Sequence, residues 1–548
     1  MKAGFSIKIG FHFFQKLKKR NIKWYTMVWV VIMARRSERI TLPLWSRLLL
    51  YSLGAILLIG QVVIFYFSIN FYFNENVQSS NYSGFILLGS YILGIVASIF
   101  VSRRSIPTNY KLTWCTLILL LPLPFSVLFF LNTITKAASG YSYKHHMIKF
   151  PSYLDDIELK ELKEIDLTAY NIIQSAKKAE SLALYKNIDI TYFPDAELKT
   201  KEMLKDMENA KSYIYMEYFI INDGVLMKDI YKVLEKKGRE GVEIKIIYDA
   251  LGSRGRINKA LFKRLRQIPN CMVEAYEPFT FTLLSNYRDH RKITIIDGNT
   301  CYTGGDNLAD EYVHKLERFG YWRDTAVRLR GNIAVAYTAM FLSTWGRIRG
   351  TKVLDFPKNL EVDIKSEGFV FPIWDGPTNR KTPAFDMFLS LIASAERYVY
   401  ISTPYFVIND EVISLLKRKV EQGVDVRILM PHIPDKKTAF YMGRLNYRDI
   451  YKAGGKIYEF EKGFNHAKNI IVDDKYAFAG TINMDYRSLF LHYECGAFII
   501  RNKEIVKMRE DFIKTLDESI LFDYNLWHKK KWYQRIIGYI FSIFAPLF

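Results

Sequence analysis

The sequence predicts an α/β protein of two similar halves, with mixed, largely parallel sheets and a shared active site, preceded by N-terminal transmembrane helices. Three observations carry this expectation. A strand–helix–strand pattern occurs twice; a segment rich in histidine, lysine, glycine and asparagine closes each copy; and three long uncharged runs crowd the first quarter of the 548 residues. Strand–helix alternation implies helices packed on the faces of a sheet. The same unit met twice implies two packed copies of one architecture.

From the N-terminus, residues 1–47 form a basic segment expected on the cytoplasmic side, with eleven Lys or Arg against one acid, Glu38. Residues 48–131 read as a transmembrane region with apolar runs at 48–73, 84–102 and 112–131. Each run is close to the roughly 20 residues that a helix needs to cross a bilayer. Pro122 and Pro124 interrupt the third, where they can kink or break it. The connector "NENVQSSNYS" carries no Lys or Arg and "RRSIPTNYK" carries three, which places the N-terminus and the second connector on the cytoplasmic face. A cleaved signal peptide is not expected: the basic stretch is too long and no small-residue cleavage site follows.

The formal net charge of +21 suits an anionic lipid surface better than nucleic acid in a chain that carries anchors. Four cysteines without a CxxC pair suggest neither a disulfide framework nor zinc.

Residues 132–187 are polar and helically patterned, a linker or stalk. The first half is expected at 188–360 and the second at 361–525. "AKSYIYMEYFIIND" and "AERYVYISTPYFVIND" open the two repeats as alternating strands, each followed by a charged helix and a second strand. The tail at 526–548, "WHKKKWYQRIIGYIFSIFAPLF" from Trp527 on, is basic, aromatic and too short to span. It reads as interfacial, or as a helix packed on the domain.

The closing segments carry the chemistry. His290, Lys292, Asp297, Gly304, Gly305 and Asn307 recur as His466, Lys468, Asp473, Gly480, Thr481 and Asn483, displaced by 466 − 290 = 176 residues. Residues two apart on a strand share a face, so each histidine projects beside its lysine. Lysine neutralises phosphate oxygens, while a neutral imidazole attacks phosphorus or moves a proton near neutrality. Asn307 and Asn483 offer amide donors to further phosphate oxygens. Asp297 and Asp473 lie an odd number of residues from their histidines and face away, which suits pinning the strand. A carboxylate must hold each imidazole in the productive tautomer, and Asp324 and Glu494, on the strand after each asparagine, are suitable. A metal is disfavoured, because a lysine beside each histidine repels a cation and no HExxH spacing exists.

These segments, together with "YMEYFIINDG", "GGDNLADEY", "GYWRDTAVRL" and "GTINMDYRS", resemble the phospholipase D superfamily, in particular its bacterial cardiolipin synthase branch. The likeness runs from about residue 84 to the end and leaves residues 1–83 unexplained. It implies two phospholipase D-type halves and transphosphatidylation at a multi-pass protein of the bacterial cell membrane. In that reading His290 attacks phosphatidylglycerol, His466 protonates the departing glycerol, and a second phosphatidylglycerol takes the phosphatidyl group from the histidine. The catalytic set it implies is His290, Lys292, Asp297, His466, Lys468 and Asp473. No cofactor, metal or nucleic acid is implied. The near-identity of the two motifs leaves the histidine roles exchangeable. A membrane phospholipase D, or a phosphatidyltransferase with another donor or acceptor, stays open as the alternative. Oligomeric state, acyl preference and the membrane face of the site are not legible.

Overall fold

A computed structural model describes residues 59–63, 66, 81–104, 106–138, 156–177, 182–253, 259–276, 286–351, 364–377 and 382–547. The basic segment 1–47 and nearly all of the first apolar run lie outside these residues. The chain divides into two units, the first containing residues 1–97 and 118–142, the second 98–117 and 143–548.

After the helical residues 59–63 come α1 (Asn81–Ser102), α2 (Thr108–Leu120) and α3 (Pro122–Ala138). The third apolar run is therefore two helices instead of one span. Pro122 lacks the N–H that would continue α2 and sits where a helix tolerates proline best, at the start of α3. Taken over its described residues, no helix is long and apolar enough to cross a membrane. The side chains of α1 are nevertheless apolar and largely exposed, Phe85, Leu88, Ile92, Val96 and Ile99 among them.

Helices α4 (Asp156–Ile165) and α5 (Leu167–Lys177) occupy the expected stalk. They do not stand free. Leu162, Ile172 and Ile173 join a core that draws on both halves, and buried Asp166 accepts hydrogen bonds from Tyr476 Oη (2.8 Å) and Arg501 Nε (2.7 Å). The first half then runs β1 (Tyr185–Lys186), β2 (Asp189–Phe193), α6 (Ala196–Glu208), β3 (Tyr213–Tyr218), α7 (Val225–Arg239), β4 (Glu243–Asp249) and α8 (Lys259–Leu265). It continues with β5 (Cys271–Tyr276), β6 (Lys292–Ile296), β7 (Thr300–Gly304), β8 (Tyr321–Arg323), β9 (Ala326–Arg330) and α9 (Ile333–Arg349).

The second half opens with β10 (Phe369–Asp375), α10 (Pro383–Ser394), β11 (Tyr398–Ser402), β12 (Phe406–Val407), α11 (Asp410–Glu421) and β13 (Asp425–Pro431). There follow α12 (Lys437–Ala453), β14 (Lys456–Phe460), β15 (Gly463–Asn465), β16 (Asn469–Val472), β17 (Tyr476–Gly480), β18 (Met484–Asp485) and α13 (Tyr486–Phe490). The chain closes with β19 (Glu494–Ile500), α14 (Glu504–Leu516), β20 (Ser519–Leu521), α15 (Tyr524–Lys530) and α16 (Trp532–Ser542).

The strands form a sheet ordered β2-β9-β7-β6-β3-β4-β5 and another ordered β1-β10-β19-β17-β16-β11-β13-β14-β20. The expectation of largely parallel sheets is corrected here. Only β3–β4–β5 and β11–β13–β14 pair in parallel, and every other ladder in the two sheets is antiparallel. The reason is connection length. Helical crossovers α7 and α11 permit parallel pairing, whereas β6–β7 and β16–β17 are joined by three-residue turns that force antiparallel hairpins.

Two short exchanges join the halves. β8 of the first pairs in parallel with β15 of the second, setting Trp322 opposite Phe464 and Arg323 opposite Asn465. In the reciprocal position Asp289 bridges Tyr493. These ladders decide what stands beside each histidine.

Candidate active site

β6 and β16 are central, fully buried strands that begin immediately after the histidine segments. The ladder from the opposite half fixes each histidine backbone: His290 N donates to Tyr493 O (2.9 Å) and His466 N to Arg323 O (2.7 Å). The residue following each acceptor is an acid, so each imidazole meets the carboxylate of the other half. His290 Nδ1 lies 2.8 and 3.0 Å from the two oxygens of Glu494, and His466 Nδ1 lies 2.5 Å from Asp324 Oδ2. With Nδ1 held as the donor, Nε2 of each ring keeps the lone pair that chemistry needs.

The asymmetry between the two glycine positions has a physical basis. A Cβ at Gly305 would fall 2.0 Å from Asp324 Oδ1, so this position must be glycine for the acid to enter. At the equivalent position the Thr481 hydroxyl donates to Glu494 Oε2 (2.5 Å). Glycine makes room for one acid, and threonine binds the other.

Lys292 and Lys468 are almost wholly buried, and each ammonium donates to the carbonyl of its own histidine. Burial pulls Lys292 down to about 7 and Lys468 to about 8, with the nearby acids opposing. Both histidines are held well below the ordinary imidazole value, first by burial and next by the lysine beside each. Lys468 and His466 also depress His290, and Lys292 depresses His466, so the two motifs form one electrostatic cluster. Burial raises Asp324 to about 6 and pushes Glu494 well above the usual carboxylate range. The free site thus holds neutral imidazoles beside lysines whose full charge an incoming phosphate would restore.

Asn307 and Asn483 are buried nearby. Asn307 Oδ1 accepts from Ile220 N (3.0 Å) and its amide donates to Tyr312 Oη (2.8 Å), while Asn483 Oδ1 is buried without a partner among the described residues. Asp297 and Asp473 do not reach this cluster. Each stands at the far end of its strand with positive φ (51° and 54°). Asp297 accepts from the backbone N–H groups of Lys211, Ser212 and Tyr213, and Asp473 from those of Glu396, Arg397 and Tyr398. They anchor the start of β3 and β11 and touch no reacting group.

Four residues that sequence reasoning did not single out lie around the site. Lys199 on α6 makes a buried ion pair with Asp306 (2.8 Å). Trp322 lies 5.4 Å, ring to ring, from His466, and His492 lies 5.4 Å from His290. Aligning "WRD" with "HYE" on their acids would have brought out the last two. His290, His492 and Glu494 also hold potential ligand atoms within 4.8 Å of one another, the geometry of a cation site. Lys292, which depresses both rings, opposes a cation there.

Two buried histidine–lysine pairs, each histidine oriented by an acid across the junction of two matching halves, define the phospholipase D class of phosphodiester chemistry. The comparisons agree. A family model described as cardiolipin synthase, PLD-like domain, matches residues 203–326 and 388–516. Cardiolipin synthase 2 of Bacillus anthracis is 38% identical over 63% of this chain and 68% of its own length. Cardiolipin synthase of Halalkalibacterium halodurans is 34% identical over 62% and 68%. An uncharacterized protein of Streptococcus mutans is 37% identical over 82% of this chain and 99% of its own. The fold is similar to the crystal structure of phosphatidylserine synthase from Haemophilus influenzae Rd KW20, with TM-score 0.54, 15% identity, and coverage of 69% of this chain and 99% of that one. The chain belongs to the cardiolipin synthase family of the phospholipase D superfamily.

Proposed function

We propose that this protein makes cardiolipin by moving a phosphatidyl group from one phosphatidylglycerol to another. The observation that carries the reading is the crossed pair of histidine–acid contacts, His290–Glu494 and His466–Asp324, around two buried lysines. His290 Nε2 attacks phosphorus, and the bond to the glycerol oxygen breaks as His466, which takes up a proton on Nε2 once the negative phosphate is bound beside it, gives that proton to the oxygen. The phosphatidyl group then rests on His290, and His466, now neutral, takes the hydroxyl proton of a second phosphatidylglycerol as its oxygen attacks. The His290–phosphorus bond breaks and cardiolipin leaves. Dividing one displacement into two is why a nucleophile and a separate proton carrier are both needed. Lys292 and Lys468 hold the charge on the equatorial oxygens, helped by the amides of Asn307 and Asn483. Asp297 and Asp473 serve the scaffold.

The bilayer reading rests on two features. The apolar sides of α1 face outward, and α16 presents Trp532, Ile536, Tyr539 and Ile540 outward, with Ile543 just after it, beside Lys529, Lys530 and Lys531. Gly538 is buried on the opposite side of α16, where a Cβ would fall 2.7 Å from Leu445 of α12. The tail is therefore packed on the domain and interfacial together: one side docks, and the apolar and basic side meets anionic headgroups. Multi-pass residence in the cell membrane is read from the sequence, where residues 48–73 and 84–102 form long uncharged runs behind a basic segment.

Purified protein in vesicles of phosphatidylglycerol should yield cardiolipin and glycerol in equal amounts. Folded protein yielding neither rejects the reading. Phosphatidate in place of cardiolipin makes it a hydrolase of the same fold.

A further inference from the structure

His492 is buried, and no step above uses it. Its Nδ1 lies 3.6 Å from Glu494 Oε1, sealed from solvent and without a hydrogen-bond partner among the described residues. The side chain keeps 10% exposure, matching 9% for His290 and 8% for His466, so it stands at the same depth as the two reacting rings. Its ring is 5.4 Å from that of His290. At the equivalent position of the other half stands Trp322, 5.4 Å from His466, whose indole Nε1 is also buried without a partner. Glu494 Oε1 therefore has two imidazole nitrogens near it, Nδ1 of His290 at 2.8 Å and Nδ1 of His492 at 3.6 Å, whereas His466 has an indole beside it in place of a second imidazole.

We propose that His492 is a positioning residue that shares the Glu494 carboxylate with His290 and shortens the life of the phosphatidyl group on His290. The inference rests on the reading of His290 as the covalent carrier. Burial and the charges of Arg487, Lys292, Lys436 and Arg288 keep His492 neutral, with one N–H to give. The nearby carboxylate favours that proton on Nδ1. When phosphorus bonds to His290 Nε2, the ring carries positive charge and Glu494 stabilises it through Nδ1–H. A small inward movement brings His492 Nδ1–H from 3.6 Å into hydrogen-bond range of Glu494 Oε1 and draws off part of that stabilisation. His290 becomes a better leaving group, so the nitrogen–phosphorus bond breaks sooner as the acceptor oxygen attacks and its proton passes to His466. Trp322 has no counterpart task, because His466 carries protons and never the lipid.

The test compares the unaltered protein with H492A and H492N on phosphatidylglycerol vesicles, quenched in alkali. Mass spectrometry measures the phosphatidyl-histidine on each site, and a chase with fresh lipid gives its lifetime. In H492A the adduct on His290 should persist about three- to tenfold longer, the scale of one neutral hydrogen bond, and accumulate in the steady state as kcat falls. H492N, whose amide N–H can replace Nδ1–H toward Glu494, should restore a short lifetime. A solely structural role would lower adduct formation and show no rescue specific to asparagine. An adduct on His290 whose lifetime is the same in all three proteins overturns this proposal alone. An adduct on His466 in the unaltered protein overturns the assignment of the carrier, and this proposal with it. Should H492A not fold, H492L compared with H492N keeps the same contrast of a silent against a donating side chain.

Discussion

The two sides of the site carry one motif in unlike surroundings. His466 is enclosed by aromatic rings: Tyr312 and Phe464 at 5.6 Å and Trp322 at 5.4 Å. His290 has Phe219 at 5.0 Å and a polar neighbour, His492. Asp324 meets His466 through one oxygen, whereas Glu494 meets His290 through both and also holds Thr481. Duplication supplied two equal histidines, and their neighbours made them unequal. The side with the two-oxygen acid is the better place to hold a cationic phosphoimidazole; the enclosed side suits a ring that changes protonation twice per cycle.

Loss of either histidine tests this most severely. H290A and H466A should each reduce cardiolipin formation by at least about a thousandfold, read as product from phosphatidylglycerol. An activated phosphatidyl ester with a nitrophenol leaving group should then separate them. It needs no proton to depart, so release of nitrophenol should return in H466A and remain absent in H290A. Recovery in H290A instead would reverse the roles.

The acids come next. E494Q and D324N should each lower kcat by about a hundredfold or more while the fold persists. Because the acids are crossed, the activated ester should rescue D324N but not E494Q. The opposite outcome would mean that each acid serves the histidine of its own half.

Smaller again is the glycine contrast. G305A places a methyl group where Asp324 must lie and should lose most activity and lower the melting temperature. T481A removes one hydroxyl bond from Glu494 and should cost only about 1–3 kcal/mol in kcat/KM.

Acidity offers a gentler probe. With Lys292 at about 7 and Lys468 at about 8, kcat/KM should fall as pH rises through this interval, because the free site loses the charge that receives phosphate. Bound phosphate raises both, so kcat should hold to higher pH. For stability the sign is opposite: these lysines titrate lower folded than unfolded, so the fold gains stability as pH climbs from about 7 toward the ordinary lysine range. Denaturant midpoints across that range would show it.

The reach of the sequence follows from the range of the interactions. His290, Lys292 and their copies are a local pattern, legible from spacing alone, as are the acids two strands' length away. The crossing of Asp324 and Glu494 is not local. It depends on β8 meeting β15 across 142 residues, a choice made by Trp322 and Phe464 packing together. His492 was hidden because it stands just ahead of β19 and outside the spacing that the two motifs share. Sheet direction departs from the expectation because the two helical crossovers in each half govern only three strands, while the turns at Asp297–Gly298 and Asp473–Asp474 make hairpins. The break after α2 was foreshadowed by Pro122.

The parallel pairing of β8 with β15, and of Asp289 with Tyr493, has one more consequence. A half-molecule made alone would present a histidine lacking its carboxylate and a carboxylate lacking its histidine, two incomplete centres rather than one of reduced power. Damage to one repeat therefore cannot be covered by its intact twin within the same chain.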